Sequence, residues 1–211
     1  MAQQQTKKTV IIMAITREGG ISYEGNIPWN IRNDMNHFKK VTSTVFNNDD
    51  GNTKNAVIMG YNTFESLRTK PLQNRVNIVL TRNSDDKKLS KYQTDPFHGI
   101  HFTQTLSAAF KIAREDACVE SIFIIGGSSV YNEVLSSPVA YSIDEIDISY
   151  IHNDDTQIKC DNFVNIELIK NIKGYVKHTC IIDQIDPLNI DLKGNYIEEK
   201  VVYIKESLWN F

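Results

Sequence analysis

From residue 9 to residue 15 the chain is continuously apolar and rich in isoleucine, as a strand covered on both faces would be. Shorter runs of the same kind recur at 56–59, 76–80 and 121–125. Between them the period changes. Leu106, Ala109, Phe110 and Ala113 fall at helical spacing, with Thr105 placed as an N-cap, and this predicts a helix. Buried strands alternating with helices predict an α/β sheet with parallel strands. The last third lacks that alternation: 146–151, 175–182 and 196–204 have strand patterns with no helix between them, so the sheet is expected to end in antiparallel strands. Polar stretches at 47–55, 83–91 and 183–195 carry turn formers and charges and are expected to be surface loops. There is no internal repeat of solenoid length.

Composition narrows the class. In a chain of 211 residues, folding is expected to bury roughly 70% of the extended chain's surface, enough for a core without staples. At 41% hydrophobic and 23% charged residues the balance is that of a folded globular protein, and residues 1–211 are expected to form one domain. A net charge of −3 has the wrong sign for holding a polyanion by counterion release, so no nucleic-acid partner is expected. The apolar run at 10–15 is too short to span a membrane and follows no signal-peptide pattern; no membrane association is expected, and a cytoplasmic location is. Cys118, Cys160 and Cys180 are odd in number and far apart, which argues against a disulfide framework or a metal site. All three are expected to be reduced and mostly buried.

Several constellations could carry chemistry. Between Gly19 and Trp29, three glycines with Asn26 and Pro28 separate the first strand from the next helix. Such a connection can move or approach a ligand closely, and it can equally be an ordinary loop. On the helix opening near Ile31, the apolar positions Ile31, Met35 and Phe38 define a face on which Asp34 falls. A carboxyl there must be neutral, paired with a protein cation, or matched by a ligand's donors; a core salt bridge and a ligand anchor that doubles as proton source both satisfy this. At 125–131 the sequence IGGSSVY breaks a buried strand at two glycines and restarts as a helix, whose first amides attract phosphate. It has neither the dinucleotide fingerprint nor the P-loop spacing, and a tight packing turn explains it as well. A second strand-to-helix turn, at Gly60, would open at the same sheet edge, where open α/β sheets bind ligands, and Arg82 would emerge there too.

In order and spacing, GNIPW at 25–29, Asp34 with Phe38, VIMGYNTFESL at 57–67, PLQNRVNIVLTR at 71–82 and IGGSSVY at 125–131 are similar to dihydrofolate reductase over nearly the whole chain. The resemblance implies a mixed, mainly parallel eight-stranded sheet flanked by helices, antiparallel at its end. It implies reduction of dihydrofolate by hydride transfer from NADPH, with no metal. Asp34 would pair with the amino-pyrimidine edge of the pterin and assist protonation through water, supported by Ser149 and Trp29. Ile27, Trp29 and Phe38 would wall the pterin, with Met13 and Ala14 beneath it. Leu67 and Leu72 would flank the aminobenzoyl group, and Arg75 would bind the α-carboxylate of the glutamate tail with its planar fork. Gly126 and Gly127, commonly joined by a cis peptide, would face the pyrophosphate. Ala14, Ile21, Gly60, Tyr61, Thr63, Thr81, Arg82, Ile125, Ser128, Ser129, Val130 and Tyr131 would complete the cofactor's contacts, with Ile125 and Tyr131 bordering the nicotinamide. The 19–26 loop would be its lid.

Four positions depart from that family's pattern. Tyr61 stands where a basic residue commonly meets the cofactor phosphate, which shifts that task to Arg82. Ser149 replaces a threonine but keeps the hydroxyl, Ser22 replaces a lid glycine, and Val164 follows Phe163 where a proline is usual, in a loop expected to lie outside the cleft. Two other readings compete: a relative that binds but has lost turnover, and a reductase of a riboflavin-pathway intermediate with no use for Arg75. The chain is expected to act as a monomer unless a thymidylate synthase domain is fused to it or pairs with it.

Overall fold

A computed structural model describes residues 6–47, 51–68, 70–82, 100–181 and 186–208. The first apolar run forms β1 (Lys8–Thr16). It is followed by β2 (Gly20–Ser22), α1 (Arg32–Ser43), β3 (Lys54–Gly60), α2 (Tyr61–Ser66), β4 (Arg75–Leu80) and β5 (Ile100–Thr103). Then come α3 (Leu106–Glu115), β6 (Val119–Ile124), α4 (Ser128–Ser136) and β7 (Glu145–His152). The last elements are β8 (Asn162–Phe163), α5 (Ile166–Lys170), β9 (Tyr175–Ile181) and β10 (Tyr196–Lys205).

Eight strands make one sheet in the order β5-β4-β3-β6-β1-β7-β10-β9. Pairing is parallel from β5 through β7, with β1 between β6 and β7. β10 is antiparallel to both of its neighbours, β7 and β9. The expected antiparallel end is therefore made by one reversed strand, and β9 runs with the rest.

β1, β3 and β4 are buried on both faces because helices cover both. On one face Ile11, Ile58, Ile124 and Ile148 pack with Phe110 of α3 and Val134 of α4. On the other, Ile12, Val57 and Met59 pack with Phe64 of α2 and Phe38 and Val41 of α1. Phe64 and Phe110 are fully enclosed, each contributing roughly 1.5–3 kcal/mol of apolar burial. Residues 54 and 55, expected to be loop, open β3: the buried Asn55 amide donates to the carbonyls of Thr42 and Thr44, and its oxygen accepts from Ser121 N–H. This ties the end of α1 to β3 and β6.

The last third does contain a helix. α5 has five residues, too few to display a period, and starts at Asn165, whose side chain accepts from Glu167 N–H. A 3-10 turn, Pro187–Asn189, follows in the stretch expected to be loop. The stretch at 83–91 lies outside the described residues. The cysteines are free but not buried: Cys118 and Cys180 are exposed and Cys160 is half-buried. Cys180 belongs to the edge strand β9, and Cys118 to the turn before β6.

Thr105 caps α3 as its sequence position predicts, its hydroxyl accepting from Ala108 N–H at 3.2 Å. Thr105→Ala is expected to cost about 1 kcal/mol in urea unfolding, with the slope of the transition unchanged.

Candidate active site

Asp34 sits in the first turn of α1, half-buried, on the face of the sheet that α1 covers. Burial pushes its carboxyl above the usual aspartate range; the Lys200 ammonium, the Ser149 hydroxyl bonded to it and His37 pull it back down, and Asp147 pushes it up. Ser149 is buried on β7, directly opposite Ala14 of β1, and so reaches the acid from beneath. Behind it, Nε2 of His37 meets Oδ2 of Asp147 at 2.5 Å. Trp29, buried, packs with Ile31, Ile151 and Ile197 against Ala14.

Three expectations about this wall fail. Met35 is 49% exposed, because the covered side of α1 runs through Asp34, Phe38, Val41 and the buried Thr42 instead. Met13 turns its side chain into the core on the opposite face, since neighbouring residues of a strand point opposite ways; Ile12 and Ala14 occupy the α1 side. Ile27 is 57% exposed, an apolar side chain at the rim rather than an enclosed one.

Farther along α1, Phe38, Leu67 and Leu72 meet against one apolar cluster that includes Ile125. The buried Asn77 fixes the loop carrying Leu72, its amide oxygen accepting from Leu72 N–H and its nitrogen donating to Leu72 O. Arg75 lies at the start of β4, buried, with Nη1 donating to Thr42 Oγ1 at 2.7 Å and Nε to the Gln73 carbonyl. Among the described residues no carboxylate pairs with it, and burial lowers its pKa.

The two strand-to-helix turns meet as expected. Gly60 N–H donates to Gly126 O at 2.7 Å, and the Gly126-Gly127 peptide is cis. Gly126 has φ +104°, and a Cβ there would stand 2.8 Å from the Tyr131 ring; at Gly127 it would stand 3.2 Å from Thr63 Oγ1. At Gly126 only bare backbone fits. Gly127 starts α4 without a side-chain cap, leaving the first amides for a ligand. Here a cavity of about 690 Å³ opens. Gly60, Tyr61, Thr63, Thr81, Arg82, Gly127, Ser128, Ser129 and Val130, all positions the resemblance assigns to the cofactor, line it. Ile125, Gly126 and Tyr131 stand behind that lining, with Tyr131 buried and its hydroxyl donating to the Ile12 carbonyl. Asn62, Leu80, Gln104, Glu133, Asp161 and Asn162 also line it, and no sequence signal marks them. A dinucleotide phosphate fits this donor set: uncapped amides, the Thr63 hydroxyl, and Arg82 exposed at the lining.

The 19–26 loop is clasped by the 161–164 segment. β2 pairs with β8, Asp161 Oδ2 accepts from Glu24 N–H at 2.8 Å, and Val164 N–H donates to Gly19 O at 2.8 Å. A proline at 164 could not donate that last bond, so this segment, expected outside the cleft, braces the 19–26 loop. Asn162 links the lid to α4: its nitrogen donates to Ser22 Oγ, and its oxygen accepts from Ser128 Oγ. Ile21 packs half-buried against the α3–α4 core. Among the described residues no cluster of side chains is arranged to hold a metal, and no helix is long and apolar enough to cross a membrane.

A mainly parallel sheet with an uncapped diglycine helix start opening on a cavity, and a desolvated carboxyl on one face, is the layout of a nucleotide-binding α/β enzyme. The chain belongs to the dihydrofolate reductase family, whose family model matches residues 8–173. It is 32% identical to dihydrofolate reductase of Pneumocystis carinii over 167 residues, 75% of this chain and 74% of that one, and 31% identical to the Candida albicans enzyme over 161 residues, 75% and 76% of the two chains. It is 33% identical over 168 residues to bifunctional dihydrofolate reductase-thymidylate synthase 1 of Arabidopsis thaliana, covering 78% of this chain and 30% of that protein. The family's reaction, reduction of dihydrofolate to tetrahydrofolate with NADPH, is this chain's activity.

Gly126→Ala puts a methyl group against Tyr131 at a φ that only glycine adopts easily. We expect a loss of at least about 2 kcal/mol in chemical unfolding. NADPH affinity, followed by quenching of tryptophan fluorescence, should fall by more than about tenfold.

Proposed function

We propose that Asp34 is the acid that anchors and helps to protonate the pterin, that Arg75 holds the glutamate tail, and that the chain from β1 to β10 works as one domain. The observation that carries this is a carboxyl out of water, bonded to Ser149, on the same sheet face as the Phe38–Leu67–Leu72 wall and a buried arginine with no carboxylate partner among the described residues. Among the described residues Asp34 is bonded by the Ser149 hydroxyl, and Arg75 by Thr42 and Gln73 with no carboxylate. A ligand with N–H donors at one end and a carboxylate at the other suits both.

In that role the two oxygens of Asp34 accept the paired N–H donors of the amino-pyrimidine edge, a charge-assisted fork that fixes the ring's orientation. Phe38, Leu67 and Leu72 hold the middle of the substrate by apolar contact, and the guanidinium of Arg75, oriented by Thr42 and Gln73, takes the carboxylate. Bound in the diglycine cavity, NADPH supplies the hydride that reduces the 5,6 bond of the pterin. The same bond needs a proton on its nitrogen. Burial keeps the Asp34 carboxyl above its ordinary range, closer to working pH, so that it can favour protonation there through an intervening water. The clasped lid excludes bulk water from the reacting centre.

Asp34→Asn should retain NADPH binding and lose more than about 99% of turnover at pH 7, with partial recovery in acid, where the substrate arrives protonated; undiminished turnover would overturn the role of Asp34. Arg75→Leu should raise KM for dihydrofolate at least about tenfold, yet leave kcat/KM for a dihydropterin without the glutamate tail nearly unchanged. The second outcome also separates this enzyme from a reductase that never binds a tail.

The same raised carboxyl implies a pH-dependent stability. Its folded-state pKa exceeds the unfolded one, so the folded state binds the extra proton, and the ionised carboxyl costs stability as pH rises from about 3.9 through the raised folded value. Asp34→Asn is therefore expected to be more stable than wild type at pH 7. Its advantage should shrink as pH falls and vanish below about pH 4 in urea unfolding.

A further inference from the structure

β10 places a charge behind the acid that the reaction as described does not use. Lys200 lies directly opposite Ser149 in the β10–β7 register, as Ile197 lies opposite Ile151. An irregularity between Ile197 and Glu199 breaks the alternation of β10 and brings Lys200 onto the same face as Ile197, the face that α1 covers. Nζ of Lys200 is buried and has no hydrogen-bond partner among the described residues. An ammonium kept from water without a partner is costly, so its field is the contribution left to explain. Of the carboxyls on this face, Asp147 is already engaged by His37 at 2.5 Å, whereas Asp34 is held by the Ser149 hydroxyl.

We propose that Lys200 is a positioning residue for the reduction: from the wall behind Ser149, its ammonium holds Asp34 toward the ionised form in which the carboxyl can accept both donors of the pterin edge. The inference rests on the proposed role of Asp34. The groups that act on Asp34 come from four elements: Lys200 on β10, Ser149 and Asp147 on β7, His37 on α1 and Tyr131 on α4. β1 adds the uncharged Ile12 and Ala14, and β9 carries Cys180 and His178 opposite Lys200 and Val202. Among the influences that lower the Asp34 pKa, Lys200 is the largest, and it opposes the dominant effect of burial. The balance of these two sets where the acid titrates, and so sets the pH range of turnover.

The test is a titration of the Asp34 carboxyl by carbon-13 NMR in ligand-free protein labelled at aspartate, its resonance assigned by its loss in Asp34→Asn. Wild type, Lys200→Met and Lys200→Arg are compared, with the pH profile of single-turnover hydride transfer measured on the same proteins. Removing the charge should raise the Asp34 midpoint by about half a unit or more and carry the alkaline limb of the rate profile upward with it; Lys200→Arg should keep the wild-type values. An unmoved midpoint in Lys200→Met overturns the proposal, as does an equal shift in Lys200→Arg, which would indicate packing rather than charge. If Lys200→Met loses its circular dichroism, Lys200→Gln replaces it; collapse of both with Lys200→Arg folded would mark Lys200 as structural and also overturn the proposal. Failure of the Asp34 role looks different, since the midpoint would still move while Asp34→Asn kept its turnover.

Discussion

Taking a carboxyl out of water is the demand around which this molecule is arranged. Asp34 lies where α1 meets the sheet, and burial alone would drive it toward the neutral acid. Each neighbouring element answers in part: Ser149 from β7 with a hydroxyl, Lys200 from β10 with a charge, and α1 itself with His37, whose own partner Asp147 pushes the other way. These contributions come from strands distant in sequence but adjacent in the sheet, so the acid's behaviour is a property of the β1-β7-β10 pairing rather than of the helix that carries it. Low dielectric makes such a set of groups sensitive to each member.

The cofactor end follows a different rule, exclusion rather than compensation. Gly126 is there because Tyr131 occupies the space a side chain would need, and Gly127 is crowded by Thr63. The same economy appears at the lid, where a Cβ on Gly19 would fall 2.3 Å from the Val164 carbonyl. Between these two bare-backbone sites runs Asn162, bonded to Ser22 on one side and Ser128 on the other. Lid position and the start of α4 are therefore joined by one side chain, and contact with a ligand at the helix start has a short route to the loop above it.

Much of this was readable from residue order, for physical reasons. β1, β3, β4 and β6 announce themselves because strands covered on both faces must be apolar throughout, and α3 because its stripe and cap fall at helical spacing. Asp34, Arg75 and the diglycine turn could be named from local pattern and resemblance. The β2–β8 clasp could not, because two- and three-residue strands exist only through each other, and neither run has a period to display. Met13 was misplaced by one step of a strand, where parity decides the face. Lys200 was hidden more deeply: it sits in the charged run EEK, and the irregularity at Ile197 and Glu199 decides which way it points. It also lies beyond residues 8–173, the span of the family match.

The reversal of β10 reaches into how the chain is made. β9 leaves the ribosome before β10, yet in the main sheet its hydrogen bonds run only to β10, which lies between it and β7. The earlier strand must therefore wait for the later one, and until β10 arrives the outer edge of β7 stands open and Asp34 lacks its lysine. A nascent chain can assemble the parallel half of the sheet and the phosphate turn while the acid's electrostatic setting is still missing. The surroundings of Asp34 are therefore completed only after β10, which follows β9 in the chain, has taken its place between β9 and β7.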